Sequence, residues 1–104
     1  MIVEERIYTL HAGKVPDLVK LYAEEGLPLQ QRYLGRFIGY FTTETGNLNQ
    51  VVFMWGFDSL DDRAARREKM AQDPAWQAYG GKVQPLILAQ ENRILKPTAF
   101  SPIR

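Results

Sequence analysis
Hydrophobic and polar positions alternate along the first stretch, Ile2-Val-Glu-Glu-Arg-Ile-Tyr-Thr-Leu10, which is rich in β-branched and aromatic residues and stops at His11-Ala-Gly13. This pattern predicts a strand ending in a turn. From Val15 the period changes: Val15, Leu18, Val19 and Tyr22 fall at i, i+3, i+4, i+7, the spacing of a helix with one buried stripe, and Pro16 suits its first turn. Gly26 and Pro28 are expected to end or kink that helix, leaving Leu29 to Tyr33 as a short further turn. Two strand-like runs follow, Arg36 to Thr43 and Gln50 to Phe57, joined by Glu44-Thr-Gly-Asn-Leu-Asn49, whose Gly and Asn residues suit a hairpin loop.

Ser59 is placed to cap a helix with Asp61 and Asp62 in its first turn, a polar, Ala- and Arg-rich segment running to about Ala71 and expected to face solvent. Asp73-Pro74 restarts a helical turn carrying Trp76 and Tyr79, with Gly80-Gly81 as its expected break. Val83 to Leu88 reads as a short helix or connection. Ala89 to Leu95 is a last strand ahead of a tail containing Pro97 and Pro102. No internal repeat or low-complexity tract is present.

The resulting order is strand, helix, strand, strand, helix, strand. It defines an α+β fold of ferredoxin-like βαββαβ type, a four-stranded antiparallel sheet with its helices on one face. The length of 104 residues fits one domain, residues 1–104, with an ordered core over about 2–96. Val51-Val-Phe-Met-Trp-Gly-Phe57 is apolar on both faces, which a strand with one wet face does not require. The helices cover only one side. The same sheet face of a second copy is the expected cover, giving a homodimer.

Charge and composition narrow the function. Thirteen Lys and Arg against twelve Asp and Glu leave no basic excess for nucleic acid or an anionic membrane surface. No apolar run approaches the roughly 20 residues of a membrane helix. There is no signal-peptide pattern and no cysteine, so a reducing, cytoplasmic setting is expected. With one His, no Gly-rich phosphate loop, no nucleophile elbow and no metal-ligand spacing, neither a cofactor nor a metal is expected.

The strongest candidate chemistry lies in the first strand. Period-two alternation puts Glu4, Arg6 and Tyr8 on one face, an acid, a base and a hydroxyl in a row. A polar cavity between two packed sheets would explain them, with Tyr40, Phe53 and Trp55 as aromatic wall. The plainer alternatives are that Glu4 and Arg6 pair with each other and that the aromatics are core. His11, the only imidazole, could shuttle a proton or ligate haem but reads more simply as a surface residue. Asn47, Asn49 and Gln50 are accounted for by their turn. Arg63, Arg66, Arg67 and Lys69 alternate with acids and read as a solvated helix face.

Further segments carry a resemblance. Arg6-Ile-Tyr8-Thr-Leu10 leading to Gly13-Lys14, Glu24-Glu-Gly26-Leu-Pro28-Leu, Gly39-Tyr-Phe-Thr-Thr43-Glu44, Gly46-Asn-Leu48-Asn-Gln50-Val-Val52, Trp55 to Leu60, Asp73-Pro74-Ala-Trp76 and Gln90-Glu-Asn92-Arg-Ile-Leu95 together resemble the NIPSNAP family over nearly the whole chain. The resemblance implies the dimeric α/β-barrel form of the ferredoxin-like fold. Related barrels include cofactor-independent monooxygenases, muconolactone isomerases, haem-degrading enzymes and chlorite dismutases. The family itself implies no assigned reaction. Animal members are associated with mitochondria and carry targeting extensions, so a compact bacterial relative is expected here. Many members have His at the position of Phe53, so no acid-base or metal role carries over there. The expected function is a homodimeric small-ligand-binding or protein-interaction module, its ligand small and apolar or aromatic. The alternative is a cofactor-independent monooxygenase or isomerase using Arg6 and Tyr8 on a small aromatic or enolisable compound in an inter-sheet pocket.

Overall fold
The computed structural model describes residues 1–104. Strand β1 (Ile2–Leu10) leads through a turn at Gly13, φ 80°, into α1 (Val15–Leu21), a π-helical turn (Tyr22–Gly26) and α2 (Leu27–Tyr33). The hairpin β2 (Arg36–Thr42) and β3 (Gln50–Phe57) follows, then α3 (Leu60–Ala71), α4 (Pro74–Val83), a 3-10 turn (Gln84–Leu86) and β4 (Ile87–Leu95). The four strands form one antiparallel sheet in the order β2-β3-β1-β4. This is the ferredoxin-like topology expected from the element order.

Local chemistry accounts for most of the boundaries. Ser59 Oγ accepts the amide of Asp62 at 3.0 Å and starts α3. Asp73 caps α4 by accepting the Ala75 amide at 2.8 Å, with Pro74 in the first turn. In the β2–β3 loop Gly46 takes φ 91°, and the Asn47 side chain accepts the Asn49 amide at 3.0 Å.

Two expectations are corrected. Gly26 and Pro28 do not end the helical region, and Leu29 to Tyr33 is not a separate turn but part of α2. The chain widens into a π turn, in which the Leu27 amide donates to the Tyr22 carbonyl five residues back. The donor missing at Pro28 falls where the hydrogen-bond register changes. Likewise Gly80-Gly81 does not break α4. Each glycine costs a helix about 1 kcal/mol relative to alanine, and burial of Tyr79 and Val83 on either side outweighs that cost.

The helices cover one sheet face. Residues pointing to that face are Glu4, Arg6 and Tyr8 of β1, opposite Trp55, Phe53 and Val51 of β3. A bulge at Ile38 lets Phe37 and Tyr40, three residues apart, both join them, facing Trp55 and Phe53. Leu10, Leu18, Tyr22, Leu29, Leu34, Phe57, Met70, Tyr79 and Val83 complete the core. The other face has no helix. Phe41, Val52 and Ile7 form an apolar row across it, flanked by the Glu5–Arg93 pair at 2.8 Å. At one end Pro97, Ser101 and Ile103 of the tail approach Val3 and Met54.

Candidate functional site
Beneath the helices, toward the Tyr8 end of β1, the core opens into a cavity of about 880 Å³. Its floor is Tyr8, Tyr40 and Phe53 of the sheet. Its roof is Leu18, Tyr22 and Gln30 from the first helical region and Trp76, Tyr79 and Val83 from α4. The π turn positions the roof. It turns Tyr22 inward to stack on Tyr40 at 4.2 Å between ring centroids. It also brings Gly26 directly under the Tyr79 phenol, where a Cβ would lie 2.5 Å from the Tyr79 oxygen. Tyr40 stacks in turn on Phe53 at 5.0 Å, and Tyr8 meets Phe53 edge-on at 5.1 Å.

Polar atoms punctuate this aromatic wall. The Tyr22 hydroxyl donates to buried Gln30 Oε1 at 2.5 Å. Gln77, Gln84 and Gln90 line the rim. Burial pushes the Tyr22, Tyr40 and Tyr79 phenols well above their ordinary range. All three are neutral hydrogen-bonding groups across the physiological range.

Alongside the cavity, a charged network runs down β1. Glu4 is 1% exposed and its carboxylate is fully engaged. Arg63 of α3 donates Nε to Oε1 at 3.0 Å and Nη2 to Oε2 at 2.7 Å. Arg6 Nη1 and Asn92 Nδ2 reach Oε2 at 3.0 and 2.8 Å. Burial works to raise the Glu4 pKa. The Arg63 and Asn92 hydrogen bonds and the positive charges of Arg6 and Arg63 outweigh it and bring the group from 4.5 down to about 2. Arg6 continues the network, donating Nε and Nη2 to the Tyr8 hydroxyl at 3.2 and 3.1 Å. Burial opposes the Arg6 charge, but the Tyr8 oxygen and Glu4 raise its pKa further.

The five residues singled out in the sequence therefore share a face but divide in role. Tyr8 and Tyr40 line the cavity. Glu4 and Arg6 pair with each other beside it. Trp55, 2% exposed, lies in the core, and its Nε1–H, beside the Tyr22 hydroxyl, lacks a partner of hydrogen-bonding geometry. The expected place of the pocket, between two sheets, is corrected: the register sets these side chains on the helix-covered face, and the cavity lies within a single chain, between its sheet and its helices. The solvated reading of the arginine run is corrected too. Arg63 binds buried Glu4, and Arg66 bonds Asp62 at 2.8 Å and reaches the last carbonyls of α2 at 3.4 Å. The signal was present in the spacing, since Arg63, Arg67 and buried Met70 lie at i, i+4, i+7 on one helix face. His11 is exposed at the end of β1. No cluster of three or more His, Cys, Asp or Glu side chains is placed to hold a metal, and no helix is long and apolar enough to cross a membrane.

One sheet, one helical layer and a cavity between them define a ferredoxin-like α+β protein of the kind found among small monooxygenase-type folds. An antibiotic biosynthesis monooxygenase of known structure superposes with a TM-score of 0.66 over 94% of this chain and 99% of that one, at 10% identity, a likeness of fold alone. The NIPSNAP family profile matches residues 3–102, and the chain belongs to that family. The crystal structure of a NIPSNAP family protein from Agrobacterium tumefaciens is 54% identical, with a TM-score of 0.96, covering 99% of this chain and 98% of that chain. Protein NipSnap of Drosophila melanogaster is 38% identical over 101 residues, 97% of this chain. The chain spans 36% of the length of the Drosophila protein and 28% of human Protein NipSnap homolog 3A.

Proposed function
We propose that the protein is a homodimeric small-ligand-binding module that holds an apolar or aromatic compound in the cavity beneath its helices. The observation that carries this reading is the cavity itself: about 880 Å³, walled by aromatic rings, with a few glutamine and phenol groups to orient a guest. The monooxygenase or isomerase reading has less support. The Glu4 carboxylate beside the cavity is held far below neutrality by hydrogen bonds from Arg63 and Asn92 and the charges of Arg6 and Arg63, and the cavity phenols of Tyr22, Tyr40 and Tyr79 are held far above it, so none of these groups exchanges a proton readily near pH 7. A cytoplasmic setting belongs to the same reading and rests on a chain built without cysteine.

Ligand binding is testable with 2-naphthalenemethanol, a neutral two-ring probe, by isothermal titration calorimetry. Saturable binding is expected. Gly80 lies on the cavity wall, and a Cβ there meets nothing within 4 Å. Gly80→Phe is expected to fill the space and weaken binding by about tenfold or more, with the fold retained. Unchanged affinity would move the binding site elsewhere.

The dimer part of the proposal rests on the helix-free sheet face. Phe41, 52% exposed, and the half-buried Val52 and Ile7 form an apolar row over which no helix of their own chain lies. A second copy packing the same row by two-fold symmetry would bury it. Val52→Glu would place a charge at the centre of that row, and sedimentation equilibrium is expected to show a dimer converted to monomer. A dimer unaffected by the substitution would show that another surface makes the contact.

A further inference from the structure
The charge around Glu4 does not balance. Three guanidinium groups, Arg6, Arg63 and Arg67, gather near this one carboxylate. Arg6 and Arg63 are paired to it. Arg67 is half-buried and takes part in no hydrogen bond or ion pair. It sits one helical turn beyond Arg63, a step of about 6 Å, close to the advance of two residues along a strand. Arg63 lies over Glu4, and the same step brings Arg67 toward Arg6 and Tyr8. Burial lowers the Arg67 pKa, the charges of Arg6 and Arg63 lower it further, and Glu4 and Tyr8 offset this only in part, so the guanidinium is held without a paired countercharge.

The Tyr8 hydroxyl supplies a second unmatched group. Its oxygen accepts two N–H bonds from Arg6. Its own O–H is the one polar function left, and no acceptor in the chain takes it. Tyr8 lines the cavity. The cavity wall at Tyr8 thus carries a free phenol donor backed by the Arg6 guanidinium, and Arg67, which does not itself line the cavity, is placed on the Arg6 side of it by the helical step from Arg63. Two donors and an excess of positive charge suit a planar anion, and a guanidinium fork matches the two oxygens of a carboxylate.

We propose that Arg67 and the Tyr8 hydroxyl form a carboxylate subsite at the end of the cavity, so that the ligand is an apolar or aromatic monocarboxylic acid. This rests on the cavity reading above and adds to it the polarity and direction of the guest. The apolar body lies among Tyr40, Phe53 and Trp76, and the acid group points along β1 toward the arginines. Arg6, held between Glu4 and Tyr8, is a positioning residue: it fixes the Tyr8 oxygen so that the O–H must point away from it.

A matched pair of probes tests this without knowledge of the natural ligand: 2-naphthoate and 2-naphthalenemethanol, which differ at the acid group. With the unmodified protein, calorimetry is expected to show naphthoate binding about tenfold tighter than the alcohol, with the difference shrinking as salt is raised. In Arg67→Gln the preference is expected to fall to about twofold or less, the naphthoate losing more affinity than the alcohol. In Tyr8→Phe part of the preference is lost. Equal binding of the two probes by the unmodified protein overturns the carboxylate subsite and leaves the cavity reading intact, as does a preference that survives in Arg67→Gln. Failure of both probes to bind overturns the cavity reading, and the subsite with it. The comparison on the unmodified protein decides the matter even where a variant does not fold.

Discussion
Glu4→Ala is expected to destabilise the protein by about 3–5 kcal/mol, the range for removing one partner of a buried charge network. The carboxylate is 1% exposed and receives four N–H bonds, two from Arg63 and one each from Arg6 and Asn92. Its loss leaves Arg6 and Arg63 under the helices with their countercharge removed, next to a third guanidinium. Glu4→Gln keeps the shape but sets an amide NH₂ against N–H donors in either orientation, so it is expected to be costly as well. The pH dependence follows from the same site. The folded-state pKa of Glu4 is depressed to about 2 from 4.5. The group therefore contributes fully above about pH 5, and its contribution of about 3 kcal/mol is lost as pH falls from 4.5 toward 2. Urea titrations at pH 7 and at steps down to pH 2 measure both effects, and Glu4→Gln should flatten the acid limb. A loss below about 1 kcal/mol at pH 7 would show that the arginines find solvent instead.

How these features could be read in the sequence follows from which forces are local. The strands and the caps at Ser59 and Asp73 are written in alternation and in side-chain-to-backbone bonds a few residues apart, and all were legible. The face-sharing of Glu4, Arg6 and Tyr8 was legible for the same reason, because it depends only on a period of two. Which face meets the helices was not. That depends on the register of β1 against β3 and on the bulge at Ile38 that keeps Phe37 and Tyr40 on one side. The π turn was equally hidden, since Gly26 and Pro28 in a helix ordinarily mean a stop, and the Tyr79 ring that occupies the place of a Cβ at Gly26 comes from the distant helix α4. The arginines of α3 were misread because charge normally marks the solvent face. The spacing puts Arg63 on the face of buried Met70, but the carboxylate that draws it under lies 59 residues earlier, and periodicity does not name that partner.

Gly35→Ala is expected to cost about 3 kcal/mol, at the upper end for an inserted methyl that has nowhere to go. Gly35 joins the end of α2 to β2, and its backbone conformation is open to alanine, because its φ is not positive. The obstacle is steric. A Cβ there would overlap the Gly56 carbonyl oxygen, and it would lie 3.3 Å from the Phe57 ring. A flexible side chain could rotate away; a carbonyl fixed in the β2–β3 ladder cannot. The pairing of Arg36 with Gly56 must open, and with it the neighbouring match of Phe37 to Trp55. Tyr40, on the same strand, carries part of the cavity floor, so the substitution should weaken binding of the naphthalene probes as well as stability. Gly80→Ala is the control. It meets open space inside α4, and replacing a helical glycine there should raise stability by about 0.5–1 kcal/mol. Thermal unfolding of the two variants is expected to move in opposite directions from the unmodified protein. If Gly35→Ala unfolds at an unchanged temperature, the junction of α2 and β2 has room to shift, and close approach of the two backbones is not what sets the position of β2.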